Sequence, residues 1–422
     1  MSRRSSSKSE VIPPNAGTYH LHFGLGRLGL GLVLGLIRTE TPLIVVQRDS
    51  KHWPSRRDRL NGTNCELNNN HDFQKEVRVL WTEGAAAEVE KFIAPNLSSA
   101  TPESYLLIYK NLAEITWVTK YVSTITTALH EHQDEIIKWL ESLDVSGFHI
   151  YPFENTITLQ SRRHTVCKVV PDRICGEDIT YSRKNEPAKC EINVEHYKDV
   201  VIEDPQNVVF RTFVKDGVST IKSGELYNYY HRRKRYLVNA VHHVVAIFGY
   251  EKLDKMMVPR EDWHMQHMPI IAEAILNDGS DVSFLLNVLI GAQAMRLVLE
   301  AYKLSPENRR TIFKGRNDEQ QYLSLVEYGQ KSISRFRITP DRITRVLRTD
   351  EFTKFQADYK EHVGGLRYYI DHHQSQINNF SARLKPWLGD ISALLEAIDG
   401  ANMRRIIKEL THKKKRSAKR LK

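Results

Sequence analysis

The chain has 422 residues, 41% hydrophobic and 9% aromatic, enough to bury a large core and to fill two domains of ordinary size. Its formal charge of +10 would suggest an anionic partner, but the charge sits at the ends: His412–Lys422 carries seven Lys and Arg, and Met1–Glu10 carries Arg3, Arg4 and Lys8 against one Glu. The body between them is nearly neutral, so nucleic acid is not an expected partner beyond nonspecific, salt-sensitive contact through the basic C-terminal tail.

Cys65, Cys167, Cys175 and Cys190 are widely and unevenly spaced, which gives neither a CxxC pair nor a disulfide framework and fits a reducing compartment. No apolar run reaches the roughly 20 residues that cross a bilayer, and the N-terminal stretch lacks the apolar core of a signal peptide. The expectation is a soluble cytoplasmic protein, monomer or homodimer, with no membrane contact.

In chain order, TYHLHFG (18–24) reads as a short buried strand, followed at once by glycines and the apolar helical run LGLVLGLIR. PLIVVQ (42–47) has the continuous β-branched character of a strand buried on both faces. EVRVLWT (76–82), YLLIYK (105–110) and GFHIYPF (147–153) are further strands, with a long helical stretch expected between the last two. From about Glu225 the character changes to helices, among them NYYHRRKRYLVNAVHHVVAIFGY and VSFLLNVLIGAQAMRLVLEAYKL, after a Pro- and Gly-containing connector near 205–224. The layout expected is a tail over 1–16, an α/β Rossmann-like dinucleotide-binding domain over 17–210, a mostly α-helical substrate domain over 211–411 and a basic tail over 412–422.

In GLGRLGLG, Gly24, Gly26 and Gly29 satisfy GxGxxG between a strand and a helix. There glycines permit a tight turn and close backbone approach to a pyrophosphate, and the helix start offers unpaired N–H groups. Gly24, Leu25, Gly26, Arg27, Leu28 and Gly29 are therefore the candidate cofactor turn. At the end of the second strand, where an acid ordinarily holds the adenosine ribose, stand Gln47, Arg48 and Asp49. Arg48 suits a 2′-phosphate and NADP, Asp49 suits NAD, and the residues alone leave both open.

Hydride transfer at a carbonyl needs a group that moves a proton at the same oxygen and donors that hold the developing alkoxide. Asn239 and His242 are three apart and share one helix face, with Lys234 five residues earlier. A lysine base has to be neutral part of the time, well below its free pKa of about 10.4, and Arg232, Arg233 and Arg235 push in that direction. By spacing alone, a solvated basic helix start accounts for the same residues.

At these residues the chain resembles the polyol-specific long-chain dehydrogenases, whose Lys, four residues, Asn, two residues, His pattern is matched by Lys234, Asn239 and His242. HFGLGRLGLG resembles the family's cofactor turn, FEN (153–155) the segment whose Asn lies beside the substrate oxygen, PDRI (171–174) its Val-Asp-Arg-Ile, and SRFRITPDRITRVLR a downstream basic segment. The similarity spans roughly residues 18–400 with scattered identities. It implies NAD or NADP as cofactor, with NAD favoured, no metal, Lys234 as general base, Asn239 and Asn155 as alkoxide donors and His242 on the substrate. Asp172 and Arg173 are implied to shape the substrate site, and Arg345 and Arg348, with Lys354, to grip a sugar phosphate. Gln47 in place of an acid and Leu30 in place of a basic residue depart from the pattern.

The function expected is oxidoreduction between a ketose, foremost a ketose phosphate, and its sugar alcohol. A free-polyol or hexuronate enzyme of the same family is the first alternative. A nucleotide-binding regulator without turnover is the second, and intact Lys234, Asn239 and His242 argue against it. A zinc dehydrogenase would need clustered Cys and His ligands, which the sequence does not offer.

Overall fold

The structure, a computed structural model, describes residues 19–50, 54–98, 102–129, 132–143, 145–153, 160–173, 175, 179–182, 187–204, 209–246, 281–338 and a few positions between 368 and 379. The chain divides into two units, Met1–Lys222 and Ser223–Lys422.

The first unit is built on ten strands of one sheet: β1 (Tyr19–Phe23), β2 (Leu43–Arg48), β3 (Asn64–Asn68), β4 (Gln74–Trp81), β5 (Tyr105–Tyr109), β6 (Val122–Thr127), β7 (His149–Pro152), β8 (Thr165–Val166), β10 (Thr180–Tyr181) and β11 (Lys189–Glu191). Their order is β10-β11-β3-β4-β5-β2-β1-β6-β7-β8. From β4 across to β8 every neighbouring pair is parallel. The chain runs outward from β1 through β2 on one side and returns through β6 on the other, so β1 marks a topological switch point, where ligands bind in open α/β sheets.

Sequence pattern explains the layering. β1 and β5 are buried along their whole length, as a parallel strand covered on both faces requires. Alternate residues feed two cores: Val45, Leu106 and Ile108 enter one, Ile44, Val46 and Leu107 the other. Thus the α/β Rossmann-like class expected from sequence is the class observed.

The stretch between β5 and β7 differs from the long helix expected. It holds a 3₁₀ segment at Leu112–Tyr121, then β6, then the helix Gln133–Ser142. The short run VSTITT is rich in β-branched residues and finds its place by pairing between β1 and β7, a tertiary preference that helical periodicity does not capture. A second sheet joins β9 (Val169–Asp172), β12 (Asp199–Glu203) and β13 (Val218–Ile221) in the order β13-β12-β9. The connector expected near 205–224 therefore contains β13, together with the short helix Val209–Thr212.

The described part of the second unit is helical, as expected. Ser223 caps the helix Gly224–Lys234 by accepting from the Leu226 amide. Ser305 caps Pro306–Phe313, and the Asn308 amide and Glu225 carboxylate tie these two helix starts together at 2.6 Å. Helices Asp281–Ala301 and Asp318–Ile338 pack on each other; a Cβ on Gly329 would come within 2.7 Å of Ile290, so the glycine permits their close approach.

Candidate active site

The turn after β1 is shaped by two glycines and left open at a third. Gly24 has φ +99°, its amide donates to the Val46 carbonyl at 2.9 Å, and a Cβ would stand 2.7 Å from the Ala128 carbonyl oxygen. Both conformation and space demand glycine there. A Cβ on Gly29 would lie 2.0 Å from the Gly24 carbonyl oxygen, whereas one on Gly26 meets nothing within 4 Å. The turn is tight against its own sheet at Gly24 and Gly29 and bare at Gly26, which leaves room for a ligand against the backbone there. The helix that follows, with a π-turn over Gly29–Val33, is buried along its length. Its start aims amide groups and a partial positive charge at the turn. These features fit a dinucleotide pyrophosphate.

Of the other turn residues, Leu25 and Leu28 pack into the core, and Arg27 donates to the Cys175 carbonyl at 2.6 Å. Gln47 is turned inward: its Oε1 accepts from the Leu25 amide at 2.8 Å and its Nε2 donates to the Arg48 carbonyl at 3.1 Å. Arg48 is exposed and paired with Glu135 at 2.7 Å. Asp49 is half-buried, with its amide on the Tyr109 carbonyl. Among the described residues at this strand end, the exposed charge is the Arg48 guanidinium, while Gln47 belongs to the turn.

Asp172 ends β9 in the first unit and Arg173 follows it. Arg173 has a fully buried side chain: Nε and Nη2 donate to the Glu195 carbonyl at 3.0 and 2.8 Å, and Nη1 reaches Asp72 at 3.0 Å. Lys198 completes the cluster at 2.8 Å from Asp72. Burial raises the Asp72 pKa, but Lys198, Asn69 and Arg173 together outweigh that and hold it at about 2. This guanidinium ties β9 to the β3–β4 connection, so its part in any substrate site is through shape.

In the second unit the helix Gly224–Lys234 continues through a π-turn, Arg235–Asn239, and on to Ala246. In an α-helix, side chains five apart diverge by about 140°. The i→i+5 bond from the Ala240 amide to the Arg235 carbonyl widens the turn and brings residues five apart toward one face. Lys234 and Asn239 are such a pair, and His242 follows three residues on. From Tyr236 to Ala246 every residue is buried except Asn239 and His242, which are partly buried like Lys234. Sequence spacing does not force such an alignment; the i→i+5 turn favours it.

The arginines around Lys234 have partners of their own. Arg232 reaches Glu300 at 3.0 Å, and Glu300 also binds Arg296 at 2.9 Å. Arg233 lies over the rings of Tyr230 and Tyr328, 4.8 and 4.3 Å from their centroids. Glu300 therefore offsets part of the positive field that the sequence suggests around Lys234. Asn155, Arg345, Arg348 and Lys354 lie outside the described residues. Among the described residues no group of three or more His, Cys, Asp and Glu could hold a metal ion, and no helix is long and apolar enough to cross a membrane.

No protein-family model and no curated protein matches the chain. Among solved structures it is similar to mannitol 2-dehydrogenase of Pseudomonas fluorescens, in a ternary complex with NAD and D-mannitol, at 12% identity and TM-score 0.38 over 79% of this chain and 71% of that one. A substrate-free D-sorbitol dehydrogenase gives 11% and 0.36 over 78% and 72%. Glycerol-3-phosphate dehydrogenase of Coxiella burnetii gives 10% and 0.35 over 94% and 99%.

Proposed function

We propose that the chain is an NAD(P)-dependent oxidoreductase that interconverts a ketose phosphate and its sugar alcohol, resembling mannitol-1-phosphate 5-dehydrogenase in type. The observation that carries the reading is the glycine turn at the switch point of the parallel sheet, closed at Gly24 and Gly29 and open at Gly26. The polyol part of the reading rests on the Lys234, Asn239, His242 pattern, and the π-turn between Lys234 and Asn239, with all three side chains partly buried, supports it.

A nicotinamide dinucleotide held at Gly24–Gly29 and the β2 end supplies hydride exchange. The chain's own residues handle the proton and the charge. In the oxidation direction the free amine of Lys234 takes the proton of the substrate hydroxyl. The Asn239 amide, joined by Asn155 through the resemblance, donates N–H to that oxygen as negative charge develops on it. His242 binds the substrate beside this oxygen. Asp172 and Arg173 shape the site, and Arg345 and Arg348 grip the phosphate. NAD is favoured by the resemblance, and Arg48 admits NADP.

The test is oxidation of NADH and NADPH with a panel of ketose phosphates, free ketoses and ketohexuronates, for the wild type and Lys234→Ala. Turnover of ketose phosphates that falls by several orders of magnitude in the variant supports the reading. Turnover confined to free ketoses or ketohexuronates moves the chain to another branch of the same chemistry. Turnover that survives the substitution removes Lys234 as base, and dinucleotide binding without turnover on any substrate overturns the enzyme reading.

A further inference from the structure

His20 and His22 in β1 are completely buried, and no step of the chemistry above uses them. The β1–β6 register sets His20 opposite Thr124 and His22 opposite Thr126. His20 Nδ1 lies 2.7 Å from the Thr124 hydroxyl and its Nε2 2.8 Å from that of Thr126. His22 Nδ1 lies 2.8 Å from the same Thr126 hydroxyl, and its Nε2 is 3.0 Å from the Gly24 carbonyl oxygen. At the far end the Thr212 hydroxyl donates to Thr124 at 3.4 Å.

The direction of every bond follows from the carbonyl end. A carbonyl only accepts, so His22 carries its proton on Nε2 and accepts at Nδ1 from the Thr126 hydroxyl. That hydroxyl has one proton to give, so it accepts from His20 Nε2–H, and His20 Nδ1 accepts from Thr124. Both rings are thereby fixed as neutral Nε2–H tautomers, the state that complete burial also favours.

What the relay ends on is the peptide unit Gly24–Leu25. Its oxygen accepts from His22, and its N–H donates to Gln47 Oε1 at 2.8 Å. Oxygen and hydrogen of one planar peptide point in opposite directions, so the two side chains fix its plane from both sides. Gly29 makes this possible: a Cβ there would stand 2.7 Å from His22 Nε2 as well as 2.0 Å from the Gly24 oxygen. The amides that follow start from the plane so fixed.

We infer that His22, backed by Thr126 and His20, is a positioning residue that presets the glycine turn for phosphate groups, with Gln47 holding the opposite side of the same peptide. The inference rests on the reading of this turn as a dinucleotide site.

Thr126→Val keeps the shape of the side chain but leaves His20 Nε2–H without its acceptor and His22 Nδ1 without its donor, whereas Thr126→Ser keeps the hydroxyl. The two variants and the wild type are compared by ¹⁵N spectra of the histidine rings and by calorimetric binding of NADH, NADPH and ADP-ribose, at a temperature where circular dichroism shows all three folded. Expected are Nε2–H tautomers for both rings in the wild type and in Thr126→Ser. Thr126→Val should bind all three ligands roughly tenfold or more weakly, the loss of about one hydrogen bond's support, with the serine variant restoring affinity. An Nδ1–H tautomer at His22 overturns the relay from the wild-type spectrum alone, even should the valine variant fail to fold. Equal affinity of folded Thr126→Val and wild type overturns the positioning role while the dinucleotide reading stands. A wild type with the stated tautomers that binds no dinucleotide overturns that reading, and the role of the relay with it.

Discussion

The Ala240 amide donates to the Arg235 carbonyl, an i→i+5 bond in the middle of a helix that otherwise keeps α-helical spacing. Such widened turns are rare and collect at functional sites, because they shift the phase of the side chains that follow. Here the shift falls between Lys234 and Asn239. Lys234→Met should lower kcat/KM by a factor of about 10³ or more and remove the acid limb of the pH profile for alcohol oxidation. Asn239→Ala should cost about 10²-fold, chiefly in kcat, as loss of one alkoxide donor does. Neither side chain is fully buried, so melting temperatures should move little; steady-state kinetics beside thermal melts separates chemistry from folding.

Gly26 and Gly29 lie three residues apart and should fail in different ways. Gly29→Ala drives a methyl against the Gly24 carbonyl and His22. A clash with backbone cannot relax by a rotamer change, so the variant should lose roughly 2 kcal/mol or more of stability along with dinucleotide binding. Gly26→Ala meets nothing in the protein, and its melting temperature should match the wild type while NADH affinity falls. Equal affinity of Gly26→Ala and wild type for NADH would show that the open space is not where a ligand lies.

Much of the first unit was legible because parallel strands buried on both faces announce themselves as continuous apolar runs: LIVV and YLLIY are recognisable without a structure. β6 was not, since VSTITT is two-thirds polar and takes its place only by pairing between β1 and β7. The same omission hid the histidine relay: His20 and His22 alternate on one face of β1, and Thr124 and Thr126 on the facing side of a strand the periodicity did not reveal. Lys234, Asn239 and His242 were singled out by resemblance, but the π-turn between Lys234 and Asn239 leaves no pattern in a sequence read at 3.6 residues per turn. Arg173 is a different case: the resemblance implied a part in shaping the substrate site, and its guanidinium is held by Asp72 and the Glu195 carbonyl.

Arg48 offers a handle on cofactor choice. Gln47 is engaged with the Leu25 amide, so the exposed guanidinium of Arg48 is the cation that ends β2, in a solvent-exposed pair with Glu135 and beside the Tyr109 hydroxyl. A pair of that kind exchanges readily for a better anion. Arg48→Glu places a negative charge where the 2′-phosphate of NADPH would lie, and should weaken NADPH binding about tenfold more than NADH binding. Parallel titrations of the two cofactors at low and high salt check this; an equal loss for both would place the adenosine ribose away from Arg48.

The buried histidines set an acid limit on stability. Burial in the folded protein lowers His22 to about 4, with the Gly24 hydrogen bond opposing only in part, and His20 shifts the same way, through burial and then its neighbour His22. An unfolded chain titrates both near 6.5. Between these values the unfolded state binds protons that the folded state refuses, so stability rises with pH across the window. The His22 contribution is complete above about pH 6.5 and is lost as pH falls toward 4, about 2 kcal/mol of it between pH 7.5 and 5. His71 and His164, both lowered first by burial, act with the same sign. Asp72, held at about 2, and the lowered Glu66 and Glu135 do not release their contributions until lower pH, outside this interval. Urea unfolding at pH 7.5 and pH 5 should therefore show a marked loss in the wild type, smaller by about 2 kcal/mol in His22→Gln. The same loss in both proteins would mean that His22 is already able to take up a proton in the folded state, and that its ring is not closed off between Thr126 and the Gly24 carbonyl.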